Sequence, residues 1–269
     1  MPDRVTARRS TRLARAARVA LAAVAAASAF FCATAVLAQQ RSEAGSFSNR
    51  PVVTLVALGA LTLLPFAFMT ATSFVKISVV FSILRNGLGT GQVPSGTVIT
   101  ALAAILSLYV MAPVGSEIVD AAAPATAQID WRGDPLAGDS GNAVIDAIDR
   151  GKEPLRHFLE RNSGPRERRL FYDLARRARP PARRAEVGPS DLLVVLPSFL
   201  ITELTEAFQI GFLVFIPFLV VDMVVSNVLL ALGMHMLSPT TVSLPFKLLL
   251  FVLVDGWYLL ARALVLGYS

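Results

Sequence analysis

Two apolar stretches, 212–232 and 246–266, constrain this chain more than anything else in it. Each is long enough to cross a hydrocarbon core of roughly 30 Å as a helix, yet ionisable residues accompany both. Glu203 and Glu206 precede the first, Asp222 lies within it, Lys247 stands at the start of the second, and Asp255 and Arg262 lie inside it. A charge facing lipid tails costs on the order of 2–3 kcal/mol or more, so these groups are expected to face protein, water or one another. The joining segment GMHMLSP, 233–239, is too short for a domain and sufficient for a hairpin turn at Gly233 and Pro239. The pattern predicts an assembly rather than a lone bundle in lipid.

Composition agrees. With 54% hydrophobic residues and a mean hydropathy of +0.60, the 269-residue chain is too apolar for an ordinary soluble domain. The net charge of +6 does not point to nucleic acid, because Arg4, Arg8, Arg9, Arg12, Arg15 and Arg18 against Asp3 supply +5 of it in the first 38 residues. That leader has an arginine-rich start, an apolar run over 19–31 and Val36-Leu37-Ala38 before polar residues, the layout of a secretory signal peptide, with an uncleaved anchor as the alternative. Cys32, the single cysteine, lies in it, so a mature chain has neither disulfide nor thiolate metal site.

A polar linker, 39–51, leads into an apolar stretch over 52–84 that contains Pro65 and Lys76; one straight helix of that length would overshoot a bilayer, whereas a bent helix or two half-helices would not. The turn RNGLGTGQVP, with Gly87, Gly89 and Pro94, and a second apolar segment over 97–114, closed by Pro113 and Gly115, complete a first hairpin, 52–115. Residues 116–191 are the water-soluble section: loop over 121–142, short helices over 143–148 and 154–161, and an amphipathic, arginine-rich helix over 167–179 ended by Pro180 and Pro181. Its basic face reads as a solvated surface or as a docking surface for lipid headgroups or a partner. The second hairpin occupies 192–269. If the leader is cleaved and both hairpins return, the soluble section lies outside the cytoplasm; the arginines pull the other way, but the positive-inside rule is weak for so long a loop. His157 and His235 are the only histidines, and neither metal-ligand spacing, a glycine-rich phosphate loop nor a nucleophile elbow is present, so no enzyme, cofactor or metal site is expected.

The strings TSFVKISVVFSILRNGLGT (72–90), YVMAPV (109–114), EPLRHFL (153–159) and SPTTVSLPFKLLLFVLVDGW (238–257) resemble the FliP/SctR (YscR, HrcR, SpaP) family of type III secretion export-apparatus proteins. The resemblance runs from about residue 52 to 268, and FVKI (74–77) and SPTTV (238–242) favour the injectisome over the flagellar branch. It implies an all-α hairpin protomer in a helical-cone oligomer, a pentamer joined by FliQ/SctS-like, FliR/SctT-like and FlhB/SctU-like subunits in the bacterial inner membrane. The soluble section would be periplasmic, many apolar helices would be lifted out of the lipid, and unfolded secreted proteins would be the cargo. It further implies a pore gasket at Met234, His235 and Met236. Methionine suits that role because its flexible, polarisable side chain deforms around a substrate and packs closed again. His235 departs from the family's three methionines; as a ring it would loosen the seal on protonation, and pointing away it would hydrogen-bond a neighbour instead. Lys76, Glu203, Glu206, Asp222, Lys247 and Asp255 are expected as buried inter-subunit salt bridges or caps at proline breaks, with a proton relay, hence an ion-coupled secondary transporter, as the alternative.

Overall fold

The computed structural model describes Gly59 and residues 62–63, 65–91, 93–128 and 138–268. The signal peptide expected over 1–38 and the linker over 39–51 lie outside those residues. The chain divides into two compact units, Met1–Met69 and Thr70–Ser269. A short helix, Pro65–Ala71, begins in the first.

The described part of the second unit is helical, with no strand: α1 (Phe74–Leu88), α2 (Gly96–Thr126), α3 (Gly138–Arg161), α4 (Pro165–Arg177), a 3-10 turn (Pro181–Glu186), α5 (Leu192–Ala231), α6 (Pro239–Leu253) and α7 (Gly256–Leu266). The expected all-α class holds. Local chemistry sets many of the ends. Gly89 closes α1 in the left-handed region at φ 73°, and the Ser95 hydroxyl accepts from the Val98 N–H to start α2. Gly233, at φ 71°, ends α5 with its N–H on the Leu230 carbonyl, while the Met234 N–H reaches Leu229, a paired closure that only a left-handed residue permits.

Proline interrupts less than the sequence suggests. α2 does not stop at Pro113 and Gly115 but continues through Pro124 to Thr126, into the stretch expected as loop. Likewise 143–148 and 154–161 belong to one helix, with Pro154 inside it, and α5 runs for 40 residues through Pro197 and Pro217. An interior proline forfeits one backbone bond and crowds one carbonyl; alanine-rich flanks such as 121–123, or helices packed alongside, outweigh that local cost. The apolar stretch 246–266, by contrast, is not continuous. α6 and α7 meet at a bend of 59°, where Asp255 takes a left-handed conformation at φ 52°.

α1 and α5 lie side by side and run the same way: Lys76 faces Glu203, Ile83 lies against Gly211, and Gly87 against Phe215 and Phe218. A Cβ at position 211 would overlap the Ile83 side chain, so glycine is what lets the two backbones approach. α2 returns beside α1, where the buried Ser73 hydroxyl donates to Ser107 and Ser107 donates to Thr72, each at 3.2 Å. One apolar core joins both hairpins through Ile77, Val80, Phe81, Leu84, Ala103, Ala207, Phe218, Phe251, Leu260 and Leu264. A second, built from Met111, Phe158, Leu159, Val195 and Phe199, ties α3 to α2 and to the start of α5.

Cover along α5 is uneven. Seven of its nine buried residues fall between Val194 and Gly211, leaving Phe218 and Leu229 beyond. Over that far part Phe212, Leu213, Met223, Val224 and Val228 stand open, each more than half exposed. At 1.5 Å per residue the helix is about 60 Å long, twice a hydrocarbon core of roughly 30 Å. α2 and α5 are each long and apolar enough to cross a membrane, and so is the α6–α7 pair taken as one bent span.

Candidate functional site: two ion clusters and an exposed loop

Five of the ionisable residues of the apolar helices gather into two clusters that close within one chain, whereas Asp255 and Arg262 stay exposed outside them. In the first, Lys76 on α1 is buried and reaches two acids one helical turn apart on α5: Nζ lies 3.0 Å from Glu203 Oε1 and 2.6 Å from Glu206 Oε2. The spacing of three residues puts both carboxylates on one face of the helix. Glu203 is fully buried, whereas the Glu206 side chain is 48% exposed at the rim. Tyr268 completes the group. Its hydroxyl donates to Glu203 Oε2, its ring lies 4.3 Å from Lys76 Nζ, and the same ring stacks on Phe158 of α3 at 6.1 Å. Burial first, and the adjacent Glu203 carboxylate second, push the phenol above its ordinary pKa, so it stays protonated and remains a donor.

The second cluster lies further along α5. Lys247 of α6, itself buried, donates to Asp222 Oδ2 at 2.6 Å and to the Gly87 carbonyl at 3.1 Å. A cation here satisfies one of the last carbonyls of α1 and complements the negative end of that helix. Ser243, one turn before Lys247, donates to the other oxygen of Asp222. Each lysine is thus neutralised by carboxylate before any neighbour is needed, and the pairing links α1 to α5 and α6 to both.

Their place in apolar stretches had pointed to Lys76, Glu203, Glu206, Asp222 and Lys247, and the structure brings these five together in two groups. Both pairs form within the protomer: the parallel packing of α1 on α5 sets Lys76 and Glu203, 127 positions apart in sequence, face to face, and the α5–α6 hairpin sets Lys247 opposite Asp222. Asp255 does not join them. It is exposed and shapes the break between α6 and α7. Gly87 is also placed differently, in the last turn of α1 under Phe218 rather than in the loop, because α1 extends to Leu88; Gly89 and Pro94 do fall in the connection. Tyr268 and Ser243 were missed. Ser243 shares a helix face with Lys247, a signal that was available; nothing in the sequence distinguishes Tyr268.

The loop 232–238 has the opposite character. Every residue in it is exposed, Met236 at 99% and Met234 at 46%, and His235 with them. Among the described residues, neither thioether side chain belongs to either apolar core. Among the described residues, no group of three or more His, Cys, Asp or Glu side chains is arranged to hold a metal ion.

Known proteins are similar to this chain over most of its length. The FliP family model matches residues 57–264. The hypersensitivity response secretion protein HrcR of Ralstonia nicotianae is 44% identical over 214 residues, 80% of this chain and 95% of that protein. The Yop proteins translocation protein R of Yersinia pestis is 44% identical over 215 residues, with the same coverage. The flagellar biosynthetic protein FliP of Pectobacterium carotovorum is 42% identical over 233 residues, 87% of this chain and 84% of that protein. The matched span takes in α1 to α6 and most of α7, both ion clusters except Tyr268, and the methionine loop. The chain belongs to the FliP family.

Proposed function

We propose that this protein is a core pore-forming subunit of the type III protein secretion export apparatus and passes unfolded proteins across the bacterial inner membrane. The family is a secretion-apparatus component rather than an enzyme family, and its named relatives serve secretion, translocation or flagellar biosynthesis. In this reading five copies form a ring, completed by FliQ/SctS-like and FliR/SctT-like subunits with an FlhB/SctU-like partner. The soluble section lies in the periplasm, and two of the three proteins described above as relatives favour the injectisome branch.

The observation that carries the proposal is the contrast between the ion clusters and the loop. Lys76 and Lys247 are neutralised inside the protomer, so neither needs a carboxylate from a sister subunit when the apolar flank beside them is covered. The loop bearing Met234, His235 and Met236 projects from it uncovered. Copies arranged around an axis would bring these side chains together as a deformable constriction, which admits an extended chain and closes on itself afterwards.

The test is a double substitution, Met234→Ala with Met236→Ala. It leaves subunit association intact and makes the assembled complex leak ions in a vesicle assay. An equally tight seal in the variant contradicts the gasket assignment.

A further inference from the structure

Asp255 and Arg262 stand outside both ion clusters. Asp255 shapes the bend between α6 and α7, but Arg262 has no such task. It lies exposed in α7 with the exposed Leu259 and Leu266 one turn to either side, and it forms no ion pair with another described residue. Facing lipid tails from there, its charge would cost about 3 kcal/mol. The first cluster has the opposite imbalance. One lysine stands against two carboxylates, and the outer one, Glu206, is half-exposed on α5. Beside it the open apolar flank of α5 begins at Phe208 and goes on through Phe212 and Leu213.

The fold sets these two residues on different flanks of the protomer. On α1, Lys76, Ile83 and Gly87 face α5. Phe81, whose ring lies 6.1 Å from that of Trp257 in α7, is five residues from Lys76 and two from Ile83, and so projects from the opposite side of α1. The bend at Asp255 carries the chain from α6, which packs on α5, across to that side. Their heights agree all the same. Asp222 faces Lys247 and Glu203 faces Tyr268, two rungs that fix the antiparallel register of α5 against the C-terminal segment. From the Glu203–Tyr268 rung toward the other, Glu206 is three residues away, roughly 4.5 Å, and Arg262 six, roughly 9 Å. The difference is less than the length of an arginine side chain.

We propose that Arg262 of one copy pairs with Glu206 of the next, so that the α7 flank of each protomer docks on the α5 flank of its neighbour. Charge complementarity selects the occupant: a cation without an acid on one flank, and an acid shared with another acid on the other. Two different surfaces that complement each other make a head-to-tail contact, the kind that closes into a ring, and in a closed ring all copies stand at one height, as the pairing requires. Leu259 and Leu266 around the arginine and Phe208, Phe212 and Leu213 beside the glutamate would shield the pair from water, where losing one partner is most costly. The inference rests on the ring of copies proposed above and names the contact that joins them.

The test uses the full-length chain purified in mild detergent with its export-apparatus partners. In a Cys32→Ser background, Glu206→Cys and Arg262→Cys are combined in one chain and the complex is treated with a short bismaleimide. The expected result is a ladder of covalent multimers of this chain, absent from either single cysteine variant. Arg262→Gln, which removes no ion pair inside the protomer, lowers the amount of complex surviving dilution on the order of tenfold, while Arg262→Lys keeps most of it. An assembled complex of several copies that gives no ladder, or that gives one with Glu206→Cys alone, overturns the pairing and leaves the ring standing. An Arg262→Gln complex as durable as the parent's does the same, without recourse to the cysteine variants should those fail to assemble. A parent protein recovered only as a monomer overturns the ring and the pairing with it.

Discussion

The two ends of α5 are built on different terms. Its first half is wrapped by α1, α3 and α4 and holds Glu203 buried, paired with Lys76 and bonded by Tyr268. Its second half carries open phenylalanines, leucines and valines and ends in a loop exposed throughout. The wrapped end secures the protomer's own fold, whereas the bare end has surface to offer to something outside it. Substitutions should therefore separate stability from function according to where along α5 they fall.

The largest effect is expected at Lys76. Replacing it by methionine strands Glu203, and breaking a buried pair from one side costs on the order of 3–5 kcal/mol, read as loss of thermal stability in detergent. Adding Glu203→Gln should recover a substantial part of that loss. A Lys76→Met protein as stable as the parent would erase the distinction between the two ends. Lys247→Met follows, at about 2 kcal/mol, because Asp222 retains some contact with water and keeps Ser243. Gly211→Ala comes next. The added methyl meets Ile83, an overpacking cost of about 1–3 kcal/mol that the better helix propensity of alanine offsets in part. Ser107→Ala removes the link between Ser73 and Thr72 and is expected to cost about 1 kcal/mol. Smallest is the double alanine variant at Met234 and Met236, whose stability should stay within about 0.5 kcal/mol of the parent while export or sealing changes. If that pair proved as destabilising as Lys76→Met, the loop would be structural and the comparison would fail.

Much of this was legible beforehand. Charges set in apolar helices gave away Lys76, Glu203, Glu206, Asp222 and Lys247, since lipid cannot hold them, and Gly233 followed by Pro239 marked the hairpin turn. Which acids Lys76 meets was not legible, because that pairing is set by α1 and α5 running in parallel and not by any sequence interval, whereas Lys247 and Asp222 face each other across the α5–α6 hairpin. Prolines misled in both directions. Pro113, Pro197 and Pro217 sit inside helices that packing sustains, while the break between α6 and α7 falls at Asp255, which has no proline beside it and needs only a left-handed residue. The positions of Gly87 and Tyr268 depend on how far α1 extends and on where α7 delivers the chain, both tertiary outcomes.

The central claim is that the bare half of the molecule exists to be covered by sister subunits. Native mass spectrometry of the protein, purified in mild detergent after co-expression with its export-apparatus partners, tests it most directly. The account predicts a closed complex containing several copies of this chain that survives in the Met234→Ala, Met236→Ala protein; a chain that remains a stable monomer under those conditions contradicts it.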